Sequence, residues 1–266
     1  MIHILTLTWN GLDKLKKLLP TLEKAVIPLG QPVRWYIRDN GSKDGTVEWL
    51  ESYRSNWIEM EPLLVGHNNH NFAQGMNSLR DLACGQDNDH YLLLNNDITF
   101  GDQHSLANMV DLMKDPKVGV VGARLLYNDT TKLQHAGVIF GPKYGNMPFH
   151  YRWREDSDKQ SEKNRYFQAV TAACCLVRAA DYVKLDEKFF WAFEDIDMCL
   201  RIGKKKKIVY CGQTKIFHEE SATLKKNPVN NLFLNQNVQR FKDKWFGKYQ
   251  LDHEKYLKSP NYRVVK

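Results

Sequence analysis

The feature that most constrains this chain's fold is an alternation of short apolar runs ending in polar residues with stretches of helical periodicity. Ile2–Thr8 is a β-rich run closed by Asn10-Gly11, after which apolar Leu12, Leu15, Leu18, Leu19 and Leu22 recur at helical spacing. Val33–Arg38 predicts a second strand, ending in Asp39-Asn40-Gly41-Ser42-Lys43-Asp44-Gly45, before a helical stretch over Thr46–Tyr53. Leu63–Val65 predicts a third strand, the polar loop His67–Asn71 follows, and Phe72–Ala83 reads as the next helix. Tyr91–Leu94, a continuous apolar run of the kind buried on both faces, ends on Asn95-Asn96-Asp97. Strands alternating with helices predict a mostly parallel sheet with right-handed crossovers. Ligands bind such sheets outside the carboxyl ends of the strands. The polar strand ends are therefore candidate site residues, although each is equally good turn chemistry.

The second half is less regular. Val118–Leu126 and Gly137–Phe140 are strand-like, and the charged stretch Tyr151–Lys163 is the best candidate for a mobile loop. Ala169–Val177 is apolar, Ile208–Cys211 and Lys215–Phe217 predict two short strands, and Asn230–Phe246 a terminal helix. No Gly-, Pro- or Ser-rich linker divides the chain and no repeat recurs, so one domain with two functional halves is expected.

With 266 residues, 42% of them hydrophobic, the chain can bury a sizeable core. It has no run of about 20 apolar residues able to span a bilayer. The opening MIHILTLTWNG lacks a basic leader and reads as a first strand, not a signal peptide. Five cysteines, an odd count with no CxxC pair, argue for reduced thiols in a cytoplasmic setting and against a disulfide framework or zinc site. Charge is uneven: residues 201–266 carry 16 Lys and Arg against 5 Asp and Glu. That excess suits a phosphorylated ligand, an anionic membrane surface or nucleic acid, and equally a solvated helix face.

A dinucleotide-binding unit would fit the sheet, with Asp39 where such folds hold a ribose. The first strand is instead followed by TWNGLDKL, with neither G-x-G-x-x-G nor a P-loop. The ordered segments TLTWNG, RDNGSKDGT, HNNHNFAQGMN, LLLNND, FFWAFEDIDMCLRI and FHEESAT resemble family 2 glycosyltransferases, closest to the rhamnosyltransferase-like members. The resemblance spans about residues 2 to 221. It implies an α/β, GT-A fold: a mostly parallel nucleotide-binding sheet flanked by helices, with a less regular acceptor-binding half. The implied division is about 1–100 for the nucleotide-sugar, about 101–225 for acceptor and catalysis, and about 226–266 as a basic helical extension.

The resemblance also implies roles. Asp39 would accept the N3–H of a uracil or thymine ring, with Thr8 and Asn10 beside it, favouring a UDP- or dTDP-sugar. Asn71 and Asn77 lie in the loop and helix that help hold the nucleotide. Gly75 permits close packing or close ligand approach, and where the family often uses basic or amide side chains the stretch carries His67, His70 and Gln74 but no arginine. Asn95, Asn96 and Asp97 stand at the family's D-x-D position, with Asn95 replacing the first acid and Asp97 left as the only carboxylate for a metal. His218 would complete that site, and an imidazole beside a carboxylate leans to Mn2+ over Mg2+. Asp195 would be the general base of an inverting transfer, supported by Glu194, although acids at a helix start are also ordinary caps. His135, in Gln134-His135-Ala136-Gly137, and Trp191 are candidate substrate contacts, or core residues.

The expected partners are the nucleotide-sugar donor, a glycan or lipid-linked acceptor and no nucleic acid. The basic C-terminal region would make a peripheral contact at the inner face of a membrane. A nucleotidyltransferase should carry a glycine- and basic-rich phosphate loop, which is missing. A non-catalytic nucleotide-sugar or glycan-binding module, its metal motif degenerate, is the remaining alternative.

Overall fold

The computed structural model describes residues 1–65, 70–128, 130–190, 192–219 and 229–265. The first half runs β1 (Ile2–Thr8), α1 (Leu12–Val26), β2 (Val33–Asp39), α2 (Thr46–Ser52), β3 (Glu59–Leu64), α3 (Phe72–Ala83) and β4 (His90–Leu94). Next come β5 (Ile98–Phe100), α4 (Ser105–Leu112), β6 (Val118–Tyr127), β7 (Leu133–His135), β8 (Val138–Phe140), β9 (Pro148–His150) and β10 (Arg165–Phe167). The remainder is β11 (Cys174–Arg178), α5 (Glu194–Ile202), β12 (Lys207–His218), α6 (Val229–Trp245) and α7 (His253–Lys258).

Among the described residues ten strands share one sheet, ordered β10-β12-β6-β11-β4-β1-β2-β3, with β5 added to β12 and β7 to β6. β4, β1, β2 and β3 are mutually parallel, as are β6 and β12. β11 is antiparallel to both β4 and β6, so the two parallel blocks run the same way. Thr8, Asp39, Leu94 and His218 thus end their strands at one edge of the sheet. Two apolar layers hold it. Leu15, Leu18 and Leu22 of α1 pack with Leu106 and Met109 of α4 on one face. Met76 and Leu79 of α3, Met198 of α5 and Phe241 and Trp245 of α6 lie on the other.

Local chemistry explains the helix starts near that edge. A Cβ on Gly11 would lie 2.4 Å from Thr8 Oγ1 and 2.6 Å from Asn96 Nδ2, so only glycine fits where the chain turns into α1. Asn71 caps α3 in a reciprocal box: its Oδ1 accepts from Gln74 N at 2.9 Å and its own N–H donates to Gln74 Oε1 at 3.2 Å. Gly75 serves packing, because a Cβ there would meet Leu7 Cδ1 at 2.6 Å.

Several second-half expectations change. Ile208–Cys211 and Lys215–Phe217 belong to one strand, β12, which follows β6 through a register shift between Cys211 and Ile216. The polar residues of that bulge, among them Thr214, hid its continuity. The third strand starts at Glu59, earlier than its apolar part. The stretch 151–163, expected to be mobile, is tied down. Arg152 pairs with Glu155 and Asp158 at 2.7 and 2.5 Å, and Tyr210 Oη donates to the Ser161 carbonyl at 2.7 Å.

Candidate active site

At the shared edge, Asn96 Nδ2 donates to Thr8 Oγ1 at 2.9 Å, joining the ends of β4 and β1. Asn40 N donates to the Thr8 carbonyl at 2.9 Å, joining β2. The β5–β12 register sets His218 opposite Ile98, beside Asp97. Asp97 and His218 are 10% and 12% exposed, recessed yet reachable.

Their geometry decides what the pair can hold. His218 Nδ1 donates to Gln134 Oε1 at 2.6 Å, which leaves Nε2 with its lone pair. Asn95 Nδ2 donates to that nitrogen at 3.2 Å. Asp97 Oδ1 sits 3.1 Å from the same nitrogen, out of hydrogen-bond alignment, and is buried without a partner among the described residues. Two acceptors facing each other, the imidazole fixed through its other nitrogen, fit a cation. Asp97 Oδ2 takes Lys14 Nζ at 3.4 Å. Among the described residues no group of three or more His, Cys, Asp or Glu side chains converges to hold a metal. A divalent ion here would need oxygens from its substrate as well as Asp97 and His218.

Asp195 joins this cluster through three consecutive residues. Thr171 N donates to His135 Nε2 at 3.3 Å, Ala172 N to Asp195 Oδ2 at 3.1 Å, and the Ala173 carbonyl accepts from Asn95 N at 2.9 Å. One small-residue segment therefore ties β7, the start of α5 and the end of β4. Asp195 Oδ1 accepts from Ile196 N at 2.7 Å. Burial first, then the adjacent Asp195, raises Glu194 to about 8. Asp197, fully buried, is structural: Trp245 Nε1, Lys244 and Arg201 all bind it, at 2.8, 2.6 and 2.8 Å. His135 is wholly buried, and burial keeps it neutral by lowering its pKa well below the ordinary value. With Nε2 accepting from Thr171, its Nδ1–H donates to His150 Nδ1 at 2.8 Å.

The other sequence candidates have local duties as well. Asp39 is 1% exposed and forms an Asx turn, with Oδ1 accepting from Gly41 N and Ser42 N at 2.9 Å and Oδ2 from Ser42 Oγ. Asn10, at φ 47°, accepts from Lys43 N at 2.8 Å through Oδ1, and its N–H donates to Ser42 Oγ at 2.7 Å. Asn71 and Asn77 bind the 185–187 loop and not the strand-end cluster. Asn71 Nδ2 donates to the Glu187 carbonyl at 3.3 Å, while Asn77 takes Leu185 N at 2.9 Å and donates to Glu187 Oε1 at 2.9 Å. His67 and Trp191 lie outside the described residues. Sequence reasoning passed over Lys14; it read Gln134 as part of a stretch bordering the donor sugar or acceptor and Val170–Cys175 as a small-residue strand under the sugar pocket, without the bonds to His218 and Asp195. Lys14 did leave a signal, as a cation in the first turn of a helix, where the dipole disfavours it.

In an open α/β sheet ligands bind outside the carboxyl ends of the strands, the edge where this polar cluster lies. The glycosyl transferase family 2 model matches residues 4–182. The chain belongs to that family. O-antigen biosynthesis protein RfbC of Myxococcus xanthus is 33% identical over 149 residues, which are 52% of this chain but 11% of that protein. An N-acetylglucosaminyl-diphospho-decaprenol L-rhamnosyltransferase of Mycobacterium tuberculosis is 22% identical over 87% of this chain and 80% of its own length. Among solved structures, GalNAc-T7 with UDP, GalNAc and Mn2+ aligns at TM-score 0.68 and 12% identity, over 94% of this chain and 48% of that one. The mannosyltransferase PcManGT of Pyrobaculum calidifontis, with GDP-Man and Mn2+, aligns at TM-score 0.63 and 13% identity, over 96% of this chain and 69% of that one. The chain thus has the GT-A fold. It spans about a tenth of the Myxococcus protein and about half of GalNAc-T7.

Proposed function

We propose that this chain moves one sugar, with inversion, from a UDP- or dTDP-linked donor to a hydroxyl of a glycan or lipid-linked acceptor. The carrying observation is the Thr171–Ala173 segment, which bonds Asp195 on one side and Asn95 of the strand-end cluster on the other. A base and a diphosphate site joined in this way suit an in-line displacement. Asp195 takes the proton of the acceptor hydroxyl as its oxygen bonds to the anomeric carbon. The bond from that carbon to the donor's phosphate oxygen breaks, and its electron pair leaves with the nucleoside diphosphate. Asp97 and His218 would hold Mn2+ or Mg2+, which when bound supplies positive charge to the departing diphosphate. Thr8, Asn10, Asp39 and Asn96 would line the nucleotide side, and the half-exposed Trp9 offers an indole beside Asn10. The second half would hold the acceptor, and the basic C-terminal residues would hold its phosphates or a membrane bearing it. Among the described residues no helix is long and apolar enough to cross a membrane.

The first experiment is release of nucleotide from a panel of UDP-, dTDP- and GDP-sugars, with Mn2+ and with EDTA, for the native chain and Asp195→Asn. Metal-stimulated release from a pyrimidine donor is expected. In Asp195→Asn, transfer to acceptor should fall about a thousandfold while nucleotide affinity stays unchanged. Unimpaired turnover in that variant would remove Asp195 as the base, and binding without any turnover in the native chain would favour a non-catalytic module.

A further inference from the structure

Lys14 is the third residue of α1, and its side chain is 22% exposed. A cation in a helix's first turn opposes the macrodipole, which favours anions there. The position is explained by what lies opposite, since Lys14 Nζ reaches Asp97 Oδ2 at 3.4 Å. The two oxygens of Asp97 thus have separate partners, Oδ2 the ammonium and Oδ1 the space before His218 Nε2. Charge counting makes the arrangement consequential. Asn95 and Asn96 are neutral, His218 Nε2 accepts from the Asn95 amide, and the single negative charge on Asp97 is matched by Lys14. The cluster is close to neutral before any ligand arrives, where a pair of acids would offer two negative charges. A divalent ion is therefore weakly attracted by the empty cluster, while an arriving diphosphate already meets a resident cation. A lysine on a flexible stem with three rotatable donors can keep one N–H near Asp97 and give others to phosphate oxygens.

We infer that Lys14 is a donor-binding residue. Its ammonium, held at the strand-end cluster by Asp97, takes a share of the donor diphosphate's charge, so part of the diphosphate affinity needs no divalent ion. The inference rests on the nucleotide-sugar function proposed above and concerns how that site divides the charge.

The test is equilibrium binding of UDP and dTDP by calorimetry, in EDTA and in Mn2+, to the native chain, Lys14→Gln and Lys14→Arg. Uridine and thymidine, followed by NMR, serve as phosphate-free controls. The native chain should bind one nucleoside diphosphate in EDTA within about tenfold of its affinity in Mn2+. Lys14→Gln should lose about tenfold or more in EDTA, the worth of one charge-assisted hydrogen bond, and about threefold in Mn2+. Nucleoside binding and the unfolding midpoint should not move, and Lys14→Arg should keep most of the EDTA affinity. Equal affinities of the native chain and Lys14→Gln in EDTA overturn the inference. So does a native chain that binds only with Mn2+, or an equal loss for the bare nucleoside. Failure of the native chain to bind any nucleoside diphosphate under either condition instead sinks the donor assignment, and the role of Lys14 with it.

Discussion

Glu194 is 7% exposed, with an Oε2 that has no hydrogen-bond partner among the described residues, and its neighbour Asp195 adds to the cost of ionising it. With its folded pKa raised from 4.5 to about 8, the folded state holds a proton that the unfolded chain has released. Stability contributed by the neutral form is therefore complete below the ordinary carboxyl value and falls as pH rises through that window. Glu194→Gln keeps the neutral shape and should flatten this dependence. Urea unfolding at pH 5 and pH 8 should show the variant gaining on the native chain at the higher pH, and parallel curves would contradict the shift. The identity of this acid pair was legible in the sequence, but the split between its members was not. In the fold, burial raises Glu194 while the backbone N–H of Ala172, 23 positions away, reaches Asp195 and not Glu194. Asp39 carries the same lesson, because its turn chemistry was readable while the burial that goes with it was not.

The start of α1 is where element geometry matters most to the site. Gly11 lies against the hydrogen bond between Asn96 and Thr8, and α1 carries Lys14 three residues further on. In Gly11→Ala the new methyl must displace that bond, at a cost of about 1–3 kcal/mol. A lowered urea midpoint together with weakened nucleoside diphosphate binding is expected; an unchanged midpoint would mean that the turn has slack. α3 is a second case. Its capping box was legible as Asn71 followed three residues later by Gln74, and its bounds match the apolar periodicity. Its hold on the 185–187 loop through Asn77 was not, because 108 residues separate Asn77 from Leu185. The split assignment of β12 failed for a related reason: the period-2 signal is lost across a bulge whose residues are held by neighbours such as Arg124.

Across the whole molecule, the C-terminal residues close the sheet's far edge. Arg165 of β10 is 2% exposed and donates to the carbonyls of Tyr262, at 2.9 Å, and Pro260, while Val264 bridges to it. Deleting residues 259–266 should strand a buried guanidinium and cost about 3 kcal/mol or more. The readout is urea unfolding, and a loss within about 0.5 kcal/mol would show that the tail is dispensable. The sequence by itself determined the alternating first half, the parallel sheet and the polar strand ends, because each depends on periodicity and turn chemistry within a few residues. Only the tertiary structure decided that β11 runs antiparallel between the two parallel blocks, bringing His218 to the edge that carries Asp97. It alone set Gln134 against His218 and Lys14 against Asp97. Those contacts join residues more than 80 positions apart, and their energies depend on burial and charge, which no local pattern records.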